Sequence, residues 1–444
     1  MFETLKNAFK VKEIRIKIWY TILFLIIYRL GCYIPVPGIG TGLIDSTELS
    51  NLTYLNIMNM MTGGSLMNGT LFAMGIGPYI NSSIIMQLLA VAIPSLERLS
   101  KQGEEGKKRI AQYTRYLTIL LAIIQAIGIL INYGSIAVEG SANGASSLTQ
   151  LLWNQKWLAY IVLILFYTAG TVITMWIGER ITDYGVSNGI SLLIFAGIIS
   201  TAGQSLIQMF KNIGSADTTY NELTNFWKFV IMLVAIIVVF VCIITVDLAE
   251  RKIPVQYAKQ VRGQKMYGGQ STVIPIKVNS NGVLPLIFAF SILSFPELIM
   301  TLFGWMDSSF GIWWATWMGA NSWVYMVVLS LFIIFFAYFY TSIQFNPDDI
   351  SKSIQQNGGF IMGIRPGKPT AEYLKKISGR ITLFGALFLA LIAIVPSIVF
   401  KAIDASSYGA FTATGMLIVV SVALEFNTAL ESQIMMKNYK GFLK

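Results

Sequence analysis

The chain has 444 residues, 55% of them apolar and only 12% charged, about half the ~25% charged share of a soluble domain. So few charges cannot cover a water-facing surface, and the chain reads as an integral membrane protein. It contains no His, which excludes His-based acid–base catalysis, Ser-His-Asp triads and His metal sites, and its net charge of +10 is informative by location rather than as a total.

The basic N-terminal segment, MFETLKNAFKVKEIRIKIWY, leads into an apolar run with no small-residue cleavage site after it, so that run is expected to be a retained span. Apolar runs near the ~20 residues needed to cross a bilayer then recur down the chain. They are Ile18–Pro35, Leu71–Ile93, Tyr116–Tyr133, Leu158–Ile177, Ile190–Phe210, Phe226–Val246, Val283–Phe303, Ser322–Tyr340, Ile381–Phe400 and Gly409–Ala429. The expected fold class is an all-α membrane protein with ten transmembrane helices. The two cysteines, Cys32 and Cys242, lie in apolar runs and are expected to be buried small hydrophobes, not a metal cluster or a disulfide framework.

Apolar character before the second span begins near Tyr54 and is broken by Gly63-Gly64, Asn68-Gly69 and Gly75-Ile76-Gly77-Pro78. Gly and Pro weaken helix interiors, so a short segment, Leu55–Met67, separates from the full crossing. Periodicity leaves two readings: a half-inserted segment enclosed by protein, or an amphipathic helix lying on the outer face.

With the N-terminus placed in the cytoplasm, 27 of the 32 Lys and Arg fall on that side and four on the other, with Arg29 inside the first span. The positive-inside rule then puts both termini in the cytoplasm. Trp305, Trp313, Trp314, Trp317 and Trp323 cluster in the outer loop between spans seven and eight, as an interfacial aromatic belt does. The first five spans start inside-to-outside and the next five outside-to-inside, so the halves 1–210 and 211–444 have inverted topology.

Two basic-side loops are long. The first, about 247–282, holds strand-like pieces at Ile253–Tyr257 and Thr272–Val278 with Gly268-Gly269 between them, which suggests a hairpin. In the second, about 341–380, Asn346-Pro347-Asp348-Asp349 reads as a helix start and Gly358-Gly359 as its stop. Arg365-Pro366-Gly367-Lys368-Pro369 is a turn, after which Thr370 is expected to cap a second helix. Such basic loops suit an anionic partner or lipid headgroups.

The spans hold almost no charge: Arg29 and Glu297 sit in outer thirds and Glu425 in an inner third. A charge at mid-bilayer costs about 2.5–3.5 kcal/mol and usually marks a function. The absence of a carboxylate or Lys row disfavours the alternative of an ion-coupled small-solute transporter. No phosphate-binding Gly-rich loop with Lys-Ser/Thr occurs, so no cofactor, metal or enzymatic activity is expected.

Several stretches carry a resemblance: Phe72-Ala73-Met74-Gly75-Ile76-Gly77-Pro78-Tyr79-Ile80, then Lys101-Gln102-Gly103-Glu104-Glu105-Gly106-Lys107-Lys108-Arg109, Ser187-Asn188-Gly189-Ile190-Ser191, Tyr257-Ala258-Lys259 and Gly363-Ile364-Arg365-Pro366-Gly367. In this order and topology the whole chain resembles the SecY family, the central channel of the bacterial protein translocon. The resemblance implies a central hourglass pore in the cytoplasmic membrane, passing unfolded polypeptides with a signal sequence and releasing apolar segments into the lipid bilayer. It implies a pore ring of Ile76, Ile80, Ile194, Ile198, Ile287 and Ile418; a plug at about 55–70 that includes Met60, Met61, Gly63, Gly64, Ser65 and Met67; and lateral-gate residues Asn81, Gln125 and Ser291. Read from composition alone, such Ile are usually packing or lipid-facing residues and such polar groups ordinary interhelical hydrogen bonders. It further implies docking of the SecA motor ATPase or the ribosome on Arg251, Lys252, Lys259, Arg262, Arg365 and Lys368, with SecE and SecG as partner subunits.

Overall fold

The computed structural model describes residues 2–36, 58–139, 156–213, 222–257, 260–262, 265–267, 271–279, 282, 284–305, 308–319, 322–402 and 413–441. In lipid every backbone N–H and C=O must find a partner within the protein, which leaves the apolar runs no option but helix. All ten expected spans fall on helices. They are α2 (Lys12–Gly31), α3 (Gly77–Ala92), α5 (Glu104–Glu139), α6 (Lys156–Tyr184), α7 (Gly189–Ile213), α8 (Glu222–Asp247), α9 (Leu284–Phe303), α11 (Trp323–Gln344), α13 (Lys368–Ala402) and α14 (Ala413–Gly441). Shorter helices are α1 (Phe2–Lys10), α4 (Pro94–Ser100), α10 (Ser309–Met318) and α12 (Pro347–Gln356).

Among the described residues seven helices are long and apolar enough to cross a membrane, or eight if the pair α3 and α4, bent by 106° at Pro94, is one span. The helix at the first place falls short because the first turns of α2 carry Lys12, Glu13, Arg15 and Lys17; α9 is apolar over at least Leu284–Met300.

The second and ninth spans start elsewhere than expected. The second span starts at Gly77 rather than Leu71, because residues 70–76 are taken up by tight turns (Gly75 N–H to the Phe72 carbonyl, 2.9 Å; Gly77 N–H to the Met74 carbonyl, 3.2 Å) and Pro78 is suited to a first turn. The ninth span is one helix from Lys368, continuous with the expected loop helix, since nothing between Lys376 and Ile381 breaks it. Thr370 lies inside its first turn and is not its cap; its hydroxyl donates to the Arg365 carbonyl at 2.8 Å. Of the cysteines, Cys32 is buried but Cys242 is exposed on the bundle exterior, against expectation; an apolar span has as much use for a small hydrophobe facing lipid as facing protein.

The two basic loops meet in one sheet. Strands β1 (Glu250–Tyr257), β2 (Gln260–Arg262), β3 (Lys265–Tyr267) and β4 (Ser271–Lys277) come from the first loop and β5 (Gly359–Ile361) from the second. The order is β4-β1-β5, all antiparallel, with Arg251 opposite Ile276 and Val255 opposite Ile361; β2 and β3 form a separate small hairpin. The alternation along β1 turns Ile253 and Val255 inward against Ile276, Ile361, Ile354 and Leu374 and leaves Arg251 and Lys252 outside. Asn346 caps α12 as expected, its side-chain oxygen accepting from the Asp348 N–H at 3.2 Å.

Candidate functional site

Helix α3 starts at its N-cap Ile76, whose carbonyl accepts from the Ile80 N–H at 3.0 Å. A four-residue step places both side chains on one face. The same step on α7 aligns Ile194 and Ile198. The structure buries Ile76, Ile194, Ile198 and Ile418 in a single cluster, with Ile80 packed on its edge. Ile80 and Ile287 pack against a neighbouring cluster. The six residues come from four helices, α3, α7, α9 and α14, and Ile80 joins the two clusters.

At that junction lies a cavity of about 60 Å³, lined by Ile80, Ile287 and Ile418 together with Met58, Met61 and Phe290. A single water needs roughly 10–15 Å³ of such space and polar partners to hold it. A space of this size holds a few waters at most, and its wall is largely apolar.

The segment before α3 is not laid on the outer face. Its helical turn at 58–61 buries Met58 and Met60, and Leu66 has no exposure at all. Side chains knit it internally: Asn59 Oδ1 accepts from the Met67 N–H at 3.1 Å, and the Ser65 hydroxyl donates to the Thr62 carbonyl at 2.9 Å. Its end is pinned to the end of α2, where the Leu71 N–H donates to the Ile34 carbonyl at 2.9 Å. Against α7 the approach is closer still. A Cβ on Gly197 would overlap the Met61 carbonyl, so only glycine fits there, and the Thr201 hydroxyl reaches the Met60 carbonyl at 3.4 Å. Gly63, Gly64, Ser65 and Met67 lie in the turns that follow; residues 55–57 lie outside the described residues.

Asn81 on α3 and Ser291 on α9 line the same cavity, with Ser294 one turn beyond Ser291. Gln125 is elsewhere: it is buried on α5, and its Oε1 has no hydrogen-bond partner. The residues that sequence reasoning missed here are Met58, Gly197, Thr201 and Ser294. The spacing of Ser291 and Ser294 on one helix face was a usable signal; the glycine contact was not.

On the basic face Arg251, Lys252, Arg365 and Lys368 are all exposed. Lys252 pairs with Glu250 at 3.2 Å. Arg365 borders an open groove of about 520 Å³ beside β5, with Phe360 and Pro366. Its turn is held from two sides, by the Ser351 hydroxyl donating to the Gly367 carbonyl (2.7 Å) and by Thr370. Arg262 lies on the β2–β3 hairpin, and Lys259 lies outside the described residues. Arg115 and Glu179 tie α5 to α6 at 2.7 Å. On α4 the Lys101 ammonium, 2.6 Å away, holds the exposed Glu97 carboxyl below the usual carboxylate range.

A multi-pass helical bundle whose apolar clusters join at one cavity, with the 58–70 segment packed beside it, has the architecture of a membrane channel. A family model described as SecY matches residues 70–427. Protein translocase subunit SecY of Streptomyces coelicolor is 40% identical over 454 residues, covering 100% of both chains. The subunits of Corynebacterium glutamicum (40% identical, 99% of each chain) and Halalkalibacterium halodurans (40%, 100% of each) are similar over the same length. Among solved structures, a protein-conducting channel superposes with a TM-score of 0.61 at 20% identity over 94% of this chain and 92% of that one. Sec61 in the canine ribosome–channel complex superposes with 0.60 at 19% identity over the same shares. The chain belongs to the SecY family.

Proposed function

We propose that this chain is the protein-conducting channel of a translocase, which passes unfolded secretory polypeptides across the bacterial cytoplasmic membrane. The observation that supports the reading is the cavity where Ile80, Ile287 and Ile418 of three helices meet Met58 and Met61 of the 58–70 segment; in this reading Ile76, Ile194 and Ile198 complete the ring. An apolar ring of flexible side chains can close around an extended chain of any sequence without binding it, while an empty ring excludes ions. In this reading Met60, Met61, Gly63, Gly64, Ser65 and Met67 belong to a plug that leaves when a signal sequence enters. The halves 1–210 and 211–444 part along α3 and α9, past Asn81 and Ser291, to release apolar segments into lipid; Gln125 supports α5 behind that seam.

The chain itself is not an enzyme in this proposal. Work comes from SecA or the ribosome docking on the two-loop sheet, through Arg251, Lys252, Lys259, Arg262, Arg365 and Lys368. Arg suits either an acidic protein surface or an RNA backbone, because its fixed fork binds carboxylate and phosphate alike. SecE and SecG complete the complex, and both termini lie in the cytoplasm with the basic loops. A crosslinking side chain placed at Ile76 is expected to capture a precursor arrested in transit. Export without capture would overturn the pore assignment, and uptake of a small solute by proteoliposomes under a proton gradient, without precursor transport, would favour a transporter.

A further inference from the structure

Arg29 lies within the first span, yet it points into the protein against the 58–70 segment. One guanidinium nitrogen, Nη2, donates to the Ser200 hydroxyl on α7, and the guanidinium stands 5.6 Å from the ring centre of Tyr33. The other, Nη1, is buried and has no hydrogen-bond partner. What covers it is the backbone of Gly63, where any side chain would overlap Nη1 and where φ is +72°. Toward α7 the segment fits closely but gains little hydrogen bonding. The Thr201 hydroxyl that reaches the Met60 carbonyl at 3.4 Å is shared with the Gly197 and Ile198 carbonyls at 3.3 and 3.0 Å.

A buried donor left unmade costs its full desolvation, whereas a hydrated one costs nothing. The Ser200 and Tyr33 contacts join Arg29 to α7 and to the turn after its own helix, neither of them part of the segment. The covering of Nη1 by Gly63 does depend on the segment. We propose that Arg29 is a positioning residue that keeps the plug weakly seated: seating strips water from one guanidinium N–H and returns no acceptor, so the closed state stays within reach of an incoming chain. This rests on the reading of 58–70 as the plug.

Ser65 supplies a reporter, because its hydroxyl lies 3.5 Å from the carbonyl of Cys32 on α2. In the full translocase complex, Ser65→Cys combined with Cys242→Ser leaves the native Cys32 as its single disulfide partner, and the rate of mild oxidative crosslinking reads how often the segment is seated. Arg29→Met, which removes the donors and keeps an apolar stem, is expected to speed crosslinking by about fivefold or more, the low end of what an unmade buried hydrogen bond is worth. Ser200→Ala keeps the guanidinium but frees it to turn toward water, and should move the rate the same way by less. Unchanged or slower crosslinking in the variants overturns the proposal; if Arg29→Met does not assemble, Ser200→Ala decides alone. Absence of crosslinking with Arg29 and Ser200 intact would instead sink the plug reading on which the inference stands.

Discussion

At the scale of single residues, the site depends on atoms that leave no room. Gly197 is a helical glycine in an apolar span, a place where glycine usually costs about 1 kcal/mol against Ala. It is tolerated because the Met61 carbonyl occupies the space of its side chain. Gly197→Ala should therefore displace the segment rather than strengthen α7, and the expected outcome is a raised resting ion conductance in planar bilayers. Arg365 illustrates the opposite case, an exposed cation whose turn is fixed by Ser351 and Thr370. Arg365→Glu should uncouple partner-driven export while leaving the thermal stability of the complex unchanged; normal precursor transport would remove it from the docking surface. Glu97 and Lys101 form a solvent-exposed pair on α4, and such pairs contribute little. Glu97→Gln is expected to be silent in thermal unfolding despite the short contact.

At the scale of elements, the basic loops form a module with a core of its own. The strands at 253–257 and 272–278 and the helix start at Asn346 were legible, the strands from β-branched residues bounded by Gly and the helix from Asn-Pro-Asp-Asp. Strand β5 was not: three residues, Gly359-Phe360-Ile361, carry no periodicity, and they become a strand only because β1 offers an unpaired edge. Ile253 is buried in this small core. Ile253→Ala should destabilise the module by about 2–4 kcal/mol, as for other large-to-small core changes. Limited proteolysis should then cleave the loops more readily while the apolar helices remain protected. Equal cleavage of loops and bundle would mean that the sheet does not fold as a separate unit.

At the scale of the whole molecule, closure belongs to no single helix. Ile80 and Ile198 lie on different helices; Ile198 is buried in one apolar cluster and Ile80 packs against both. Replacing both with Gly should widen the constriction and increase ion leakage through the reconstituted channel several-fold; unchanged conductance would remove the constriction from this position. The seam beside it makes a second expectation. Asn81 and Ser291 line one cavity across α3 and α9, so a cysteine pair at these sites, once oxidised, should block release of apolar segments into lipid while soluble precursors still cross. Equal loss of both would mean that α3 and α9 part during all transport.

The sequence by itself determined the class of protein, the places of the helices and the concentration of basic charge on two loops. Those properties are local: a run of apolar residues in lipid has only helix available, and charge cannot leave the loops cheaply. The sequence could not separate isoleucines that meet at the constriction from isoleucines that face lipid, because both environments are apolar and impose the same composition. Nor could it decide between an enclosed segment and one lying on the surface at 58–67, or show that an arginine of the first span ends against Gly63. These were decided by the tertiary structure, since they depend on which helices come together and how closely their backbones approach.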